Sequence, residues 1–387
     1  MASSGKLLLE LFVIFAGGKL LAEVAERLRQ PSVVGELLAG VLLGPSLLGL
    51  VHPSELTQGL AEVGAIFLLF TVGLEIKPRD LLQVGWTATA VATLGVLVPL
   101  ILGFFCMKMI GHGLIESIFV GAAMVATSVG ITARVLADAG MLSSRVARII
   151  LAAAVLDDIL GMIVLAVVSS LSSGRINYVS LAVVSVEAVV FSLLIVFFGS
   201  RVVGRFHPNV AKLRSQNAAF VLSIILCLGL SLASVYIGMA AIIGAFLAGL
   251  ALADHSESWR LRENAHPLME FLTPFFFVLL GAQVNLKTTA QSSVLFTASV
   301  ICLLAVLSKL IGCGLGSLGL GWKDSLRIGI GMVPRGEVGL IVASVGLGLR
   351  TISDAIYSVV LLMTIFTTLF APPVLRLTLQ QSERRAG

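Results

Sequence analysis

The sequence predicts an all-α membrane protein of about thirteen transmembrane helices, and three observations carry that reading. The 387 residues are 58% hydrophobic and only 12% charged, with a mean hydropathy of +1.06, whereas soluble domains are about a quarter charged. Apolar runs of the roughly 20 residues a bilayer requires follow one another with no polar block between them. The basic residues alternate in density from loop to loop, as the positive-inside rule demands of a polytopic chain.

Cut at Pro, Gly and charge clusters, the runs fall near 6–26, 33–50, 58–75, 82–109, 114–138, 145–172, 177–205, 216–236, 238–253, 267–284, 290–316, 323–349 and 354–376. The first stretch, Leu7 to Leu28, carries Glu10, Lys19 and Glu23 and lacks a small-residue cleavage site, so it reads as a retained helix and not a signal peptide. Three cations, Lys19, Lys309 and Arg335, lie deep inside runs, and the tally counts the others with the loops and the span ends next to them. Only Lys6, Lys108, Arg175, Lys287 and Arg350 fall on the even side, against a dense odd side that includes Arg201, Arg205, Lys212 and Arg214. That asymmetry predicts N-out, C-in topology, and a miscount of one span would scramble it.

The net charge of +5 is scattered among short loops with no basic stripe, which argues against nucleic acid as a partner. Cys106, Cys227, Cys302 and Cys313 sit in apolar runs without CxxC spacing, so neither a disulfide framework nor a zinc site is expected, and no cofactor is implied. Membrane lipids are the expected surroundings of nearly the whole chain.

An internal repeat is visible. Leu38-Ala39-Gly40 followed by Leu60 to Ile76 resembles Leu247-Ala248-Gly249 followed by Leu268 to Leu286, and the Gly40–Gly73 spacing matches Gly249–Gly281 within one residue. The offset is seven spans, an odd number, so matching helices run in opposite directions, as in transporters built from inverted repeats. One transmembrane domain, 1–387, is expected, with a first repeat at about 6–172, a linker helix at about 177–205, a second repeat at about 216–376 and no soluble regulatory domain.

Sites in such proteins form at paired, interrupted helices. One interruption is Ala126-Thr127-Ser128-Val129-Gly130-Ile131-Thr132; its repeat partner is Met332-Val333-Pro334-Arg335-Gly336-Glu337. Pro334 removes a backbone donor and clashes with the preceding turn, and Gly336 loosens the next. Carbonyls freed at such breaks can coordinate a cation where they line a cavity, and ordinary interhelical hydrogen bonding by Thr127, Ser128 and Thr132 is the alternative.

Asp157 and Asp158 stand in the middle of the apolar run 145–172. A central Asp costs roughly 2.5–3.5 kcal/mol to insert, so two of them need a partner or a purpose. Adjacent helical positions point about 100° apart, which gives the two carboxylates different surroundings and different roles. Two charges ~6 Å apart at an effective dielectric near 20 repel by about 2.8 kcal/mol, so one of the pair is poised to trade a metal cation for a proton. Lys309, deep in its own run and too far from either end to snorkel, is the expected partner of Asp157 or Asp158, and it is also a candidate proton carrier. Arg335 and Glu337 are placed to satisfy helix ends and each other. An intramembrane aspartyl protease is disfavoured, because adjacent residues do not converge on one water.

These segments resemble the monovalent cation:proton antiporter 2 family, and within it the NapA-type bacterial sodium/proton antiporters. The resemblance rests on GELLAGVLLGPSLLG at 35–49, FLLFTVGLE at 67–75, TSVGITARVL at 127–136, VLDDILGMI at 155–163, Lys309 in its apolar run and PRGEVGLI at 334–341, and it covers nearly the whole chain. It implies an NhaA/NapA-like fold with a dimerisation domain and a mobile core, elevator-type alternating access, a homodimer and a bacterial inner membrane. It further implies that Asp158 binds the transported Na⁺ or Li⁺ and the proton in turn, and that Asp157 pairs with Lys309. Thr127 and Ser128 would form the first unwound crossing, with Pro334 and Gly336 in the second and Glu337 stabilising it. An Asp-Asp pair with a Lys resembles the electrogenic members. A potassium/proton antiporter, or a sodium-coupled organic-anion symporter of the same fold, is the alternative; the symporter sits poorly with two carboxylates and a lysine.

Overall fold

The computed structural model describes residues 3–28, 30–76, 83–172, 178–210, 217–283 and 292–336, residues 339, 342, 343, 346 and 347, and residues 350–383. Among the described residues there are fourteen α-helices and no strand: α1 Ser3–Arg27, α2 Ser32–Leu43, α3 Glu55–Glu75, α4 Gly85–Ile110, α5 Leu114–Ala123, α6 Val129–Asp138, α7 Arg145–Ser172, α8 Tyr178–Val210, α9 Ala218–Tyr236, α10 Ala241–Leu252, α11 Leu261–Ala282, α12 Ser292–Gly316, α13 Trp322–Gly331 and α14 Asp354–Glu383. Each of the thirteen expected runs carries helix.

Local chemistry explains several boundaries. Ser54 opens α3 by accepting from the Thr57 amide while the Thr57 hydroxyl accepts from the Ser54 amide, a reciprocal cap. Gly111 closes α4 at φ 100°, a left-handed conformation that glycine adopts without steric cost. The run expected at 33–50 is helical only to Leu43. Gly44-Pro45 stops it, and the chain folds back with the Leu48 amide on the Leu42 carbonyl and Leu50 on Leu43. At 12 residues, α2 is about 18 Å long, short of the ~30 Å hydrocarbon core. Helix α10, which the sequence match pairs with α2, has the same length and passes into a short 3₁₀ turn at Ala253–His255. Conversely, the run expected to start at 267 begins at Leu261, because Pro267 and Pro274 are carried within α11 instead of preceding it. Seven helices are long and apolar enough to cross a membrane among the described residues: those at Glu55–Glu75, Gly85–Ile110, Val186–Arg205, Ala218–Tyr236, Leu261–Ala282, Val294–Gly316 and Asp354–Leu379.

The helices pack in two groups. In one, α3 lies against α10 and α11, with α1, α2 and α9 alongside; in the other, α4 lies against α5, α7 and α12, with α13 and α14 beside α12. Helix α8 runs against α10, and α6 touches α2 and α3 of the first group as well as α7 and α14 of the second. Outward faces are apolar, as on α9 with Leu222, Ile225, Leu228 and Leu232 exposed, which suits lipid and not water.

Four close helix approaches fall on the glycines of the sequence match. A Cβ on Gly40 would lie 2.0 Å from the Val278 carbonyl oxygen, and one on Gly281 would lie 2.1 Å from that of Leu37; one on Gly73 would lie 2.3 Å from the Phe246 oxygen, and one on Gly249 would lie 2.2 Å from that of Phe70. The sequence matches Gly40 with Gly249 and Gly73 with Gly281, while in space Gly40 meets the Gly281 segment and Gly249 meets the Gly73 segment. Two equivalent contacts thus exchange their members, which is how a two-fold relation between the repeats would place them. Small residues let backbones meet where lipid supplies no hydrophobic drive. Gly73→Ala is accordingly expected to cost about 1–3 kcal/mol by overpacking, read as a lower melting temperature of the purified protein with its helix content intact.

Candidate functional site

The ionic centre lies in the second group of helices. Lys309 of α12 and Asp157 of α7 are 0% and 1% exposed, and the ammonium donates to Asp157 Oδ1 at 2.9 Å. The other carboxylate oxygen, Oδ2, has no hydrogen-bond partner among the described residues. The ammonium has room because α4 presents Gly95 to it: a Cβ there would stand 3.6 Å from Lys309 Nζ and 2.7 Å from Cys313 Sγ. Asp158, the next residue along α7, is only half-buried, in keeping with the ~100° turn between neighbours. One carboxylate is thus sealed against the buried ammonium while its neighbour is only half-buried.

The two interruptions lie across each other. Helix α5 ends at Ala123, α6 starts after Ser128, α13 ends at Gly331, and the chain is non-helical at Val333–Gly336, with residue 339 helical again. The Ser128 amide donates to the Pro334 carbonyl at 2.8 Å, the Thr127 hydroxyl to Met332 O at 3.4 Å and the Thr132 hydroxyl to Gly331 O at 2.6 Å. A Cβ at Gly336 would come within 2.7 Å of Ser128 Oγ, so glycine is what lets the strands touch. Polar residues at the break therefore meet backbone groups that the broken helices leave free. Several of the freed carbonyls are occupied by donors from within the protein. Glu337 lies outside the described residues.

Arg335 ties this crossing to the ionic centre. Its guanidinium is fully buried and donates to the carbonyls of Met124 and Ala126, beyond the C-terminal end of α5, and to Ala305 of α12 at 3.2 Å. Ala305 is one turn from Lys309, so one side chain holds both the unwound strand and the helix that carries the lysine. A cation at a helix C-terminus also meets the negative end of its dipole.

A second polar cluster, which the sequence reading did not single out, joins the two helix groups. Arg134 of α6, a cation near the end of the run 114–138, is 5% exposed and thus buried. Its Nη1 is 3.0 Å from Glu270 Oε1 of α11, and its Nε is 3.0 Å from Asp138 Oδ1. Lys19 of α1 reaches Glu270 Oε2 at 2.7 Å, and Ser32 of α2 donates to Asp138 Oδ2 at 2.6 Å. The available signal was charge within the GELLAG and TSVGITARVL segments, at Glu36 and Arg134.

The geometry provides a paired and a half-exposed carboxylate beside two crossed helix breaks, an arrangement able to hold a small cation or a proton. The family model described as sodium/hydrogen exchanger, transmembrane, matches residues 12–381. The high-affinity Na⁺/H⁺ antiporter NhaS3 of Synechocystis is 37% identical over 97% of this chain and 90% of its own length. The Na⁺/H⁺-K⁺ antiporter GerN of Bacillus cereus is 33% identical over 95% of both. The sodium proton antiporter MjNhaP1 of Methanocaldococcus jannaschii superposes with a TM-score of 0.67 at 20% identity, over 97% of this chain and 99% of that one. A family match spanning nearly the entire chain, with helices and site in the order that the sequence segments require, places this multi-pass membrane protein in the sodium/hydrogen exchanger family.

Proposed function

We propose that the protein exchanges Na⁺ for H⁺ across a bacterial inner membrane, with Asp158 as the carboxylate that takes the cation and the proton in turn. The observation that carries this is the contrast within one helix turn: Asp157 is committed to Lys309 at 2.9 Å, while Asp158 is half-open at the same depth. An ionised carboxylate in low dielectric is stabilised by a bound cation or neutralised by a proton, and the two compete for one place. The names of NhaS3 and GerN support sodium and protons as the cargo. Li⁺ is the expected substitute for Na⁺, and Asp157 and Lys309 separate when the cation binds. The two carboxylates and the amine supply the charge changes for electrogenic exchange.

Alternating access of elevator type would move the helix group that holds α4, α7 and α12 against the one that holds α3 and α11. The crosswise glycine contacts support two inverted repeats, and an N-out, C-in chain working as a homodimer completes the reading. The test is the luminal pH of acid-loaded proteoliposomes on adding Na⁺, Li⁺ or K⁺. Alkalinisation on Na⁺ and Li⁺ is expected. A response to K⁺ alone moves the protein to the potassium alternative, and no response to any cation, with sodium-driven uptake of an organic anion instead, overturns antiport.

A further inference from the structure

We propose that Glu36 is a second proton-binding site, separate from the Asp157–Asp158 centre, and that its proton is exchanged for the Arg134 guanidinium when α6 shifts against α1, α2 and α11. Glu36 is 0% exposed, and among the described residues neither of its carboxylate oxygens has a hydrogen-bond partner. The charged groups acting on it are Arg134 and Asp138 of α6, Lys19 of α1 and Glu270 of α11. From α14, Arg376 is turned to the Gln30 carbonyl just before α2. Within the cluster both cations are already engaged: Lys19 binds Glu270, and Arg134 spans Glu270 and Asp138. Three carboxyls therefore face two cations, and the surplus one is the fully enclosed one.

An unpaired carboxylate in such a place costs several kcal/mol, whereas the neutral acid does not. Charge balance thus puts a proton on Glu36 in this arrangement. The cluster has a way out for it, since the side chains of Lys19, Glu270 and Asp138 are 32%, 34% and 29% exposed. If α6 moves so that Arg134 leaves Glu270, the guanidinium becomes available to Glu36, and the proton departs to water along the same rim. Glu270 stays matched by Lys19. The bound proton then favours the present arrangement, and its loss favours the shifted one. Helix α6 begins directly after Ser128 of the crossing, so what holds its other end at Asp138 also bears on the break.

The coupling to transport rests on the antiport reading; the protonation itself does not. Infrared difference spectra of the protein in liposomes, taken between acidic and alkaline buffer, report carboxylic acid C=O bands directly. The native protein is expected to show one band that Glu36→Gln lacks. Glu270→Gln, a change at the half-exposed rim, leaves two carboxylates facing two cations; it should lose the same band and so carries the test even if Glu36→Gln does not fold. A spectrum of Glu36→Gln with every acid band of the native protein overturns the site. In transport, Glu36→Gln is expected to flatten the pH dependence of exchange by about one proton. A superimposable profile overturns the coupling, and a native protein that moves no protons at all sinks the antiport reading while the infrared result still decides Glu36.

Discussion

Asp158→Asn is expected to abolish sodium-driven proton movement, leaving proteoliposomes with the proton leak of protein-free vesicles. The substitution keeps the size and hydrogen-bonding capacity of the side chain but removes the only property that the proposed cycle uses, a charge that a cation and a proton can each neutralise. Folding should survive, because an amide is far cheaper than a carboxylate at this depth and because the ion pair between Asp157 and Lys309 at 2.9 Å is left in place. Melting temperature is therefore the control: unchanged or raised with exchange lost locates the site, whereas loss of both leaves only a folding defect. Isothermal titration with Na⁺ adds a readout free of the transport cycle, with heat of binding in the native protein and none in the variant. Native-like exchange by Asp158→Asn would remove Asp158 from the mechanism and shift attention to Asp157.

The helices were legible in the sequence because lipid enforces a simple rule, that every backbone group be satisfied within the segment. Apolar length and punctuation alone then locate the thirteen runs. What they did not convey was depth. The run at 33–50 looked like a full span, yet Gly44-Pro45 turns it back after 12 helical residues, and only the fold shows that α10 is shortened in the same way. The breaks at Thr127-Ser128 and Pro334-Gly336 were visible as polar and helix-breaking residues inside apolar runs. Periodicity gives the direction of a side chain but not its partner, which is why the role of Arg335 at the end of α5 was not. The Lys19–Glu270 contact joins residues 251 apart, and Arg134 and Glu270 each sit close enough to a span end to pass for loop charges. Charges near span ends are ambiguous in any single sequence, because snorkelling and burial have the same composition.

Lys309→Gln separates two functions that the structure superimposes on one amine. As a structural partner, Lys309 compensates a carboxylate that is 1% exposed; removing one member of a buried pair costs about 3–5 kcal/mol. The variant is expected to melt well below the native protein. Asp157→Asn combined with Lys309→Gln, which removes both charges, should regain most of that loss, since a neutral pair needs no compensation. As a proton carrier, Lys309 would release its proton when the bridge to Asp157 opens and regain it when the bridge closes. Its loss would then turn electrogenic exchange into electroneutral exchange. The discriminating measurement is the exchange rate of Lys309→Gln in proteoliposomes with the membrane potential clamped positive, negative and at zero. A rate that no longer responds to potential assigns the extra proton to the amine. A rate that responds as the native one does means that the amine carries no obligatory proton; the second titrating group then has to be sought elsewhere, and Glu36, the other enclosed carboxyl in reach of a mobile cation, is the next residue to combine with it.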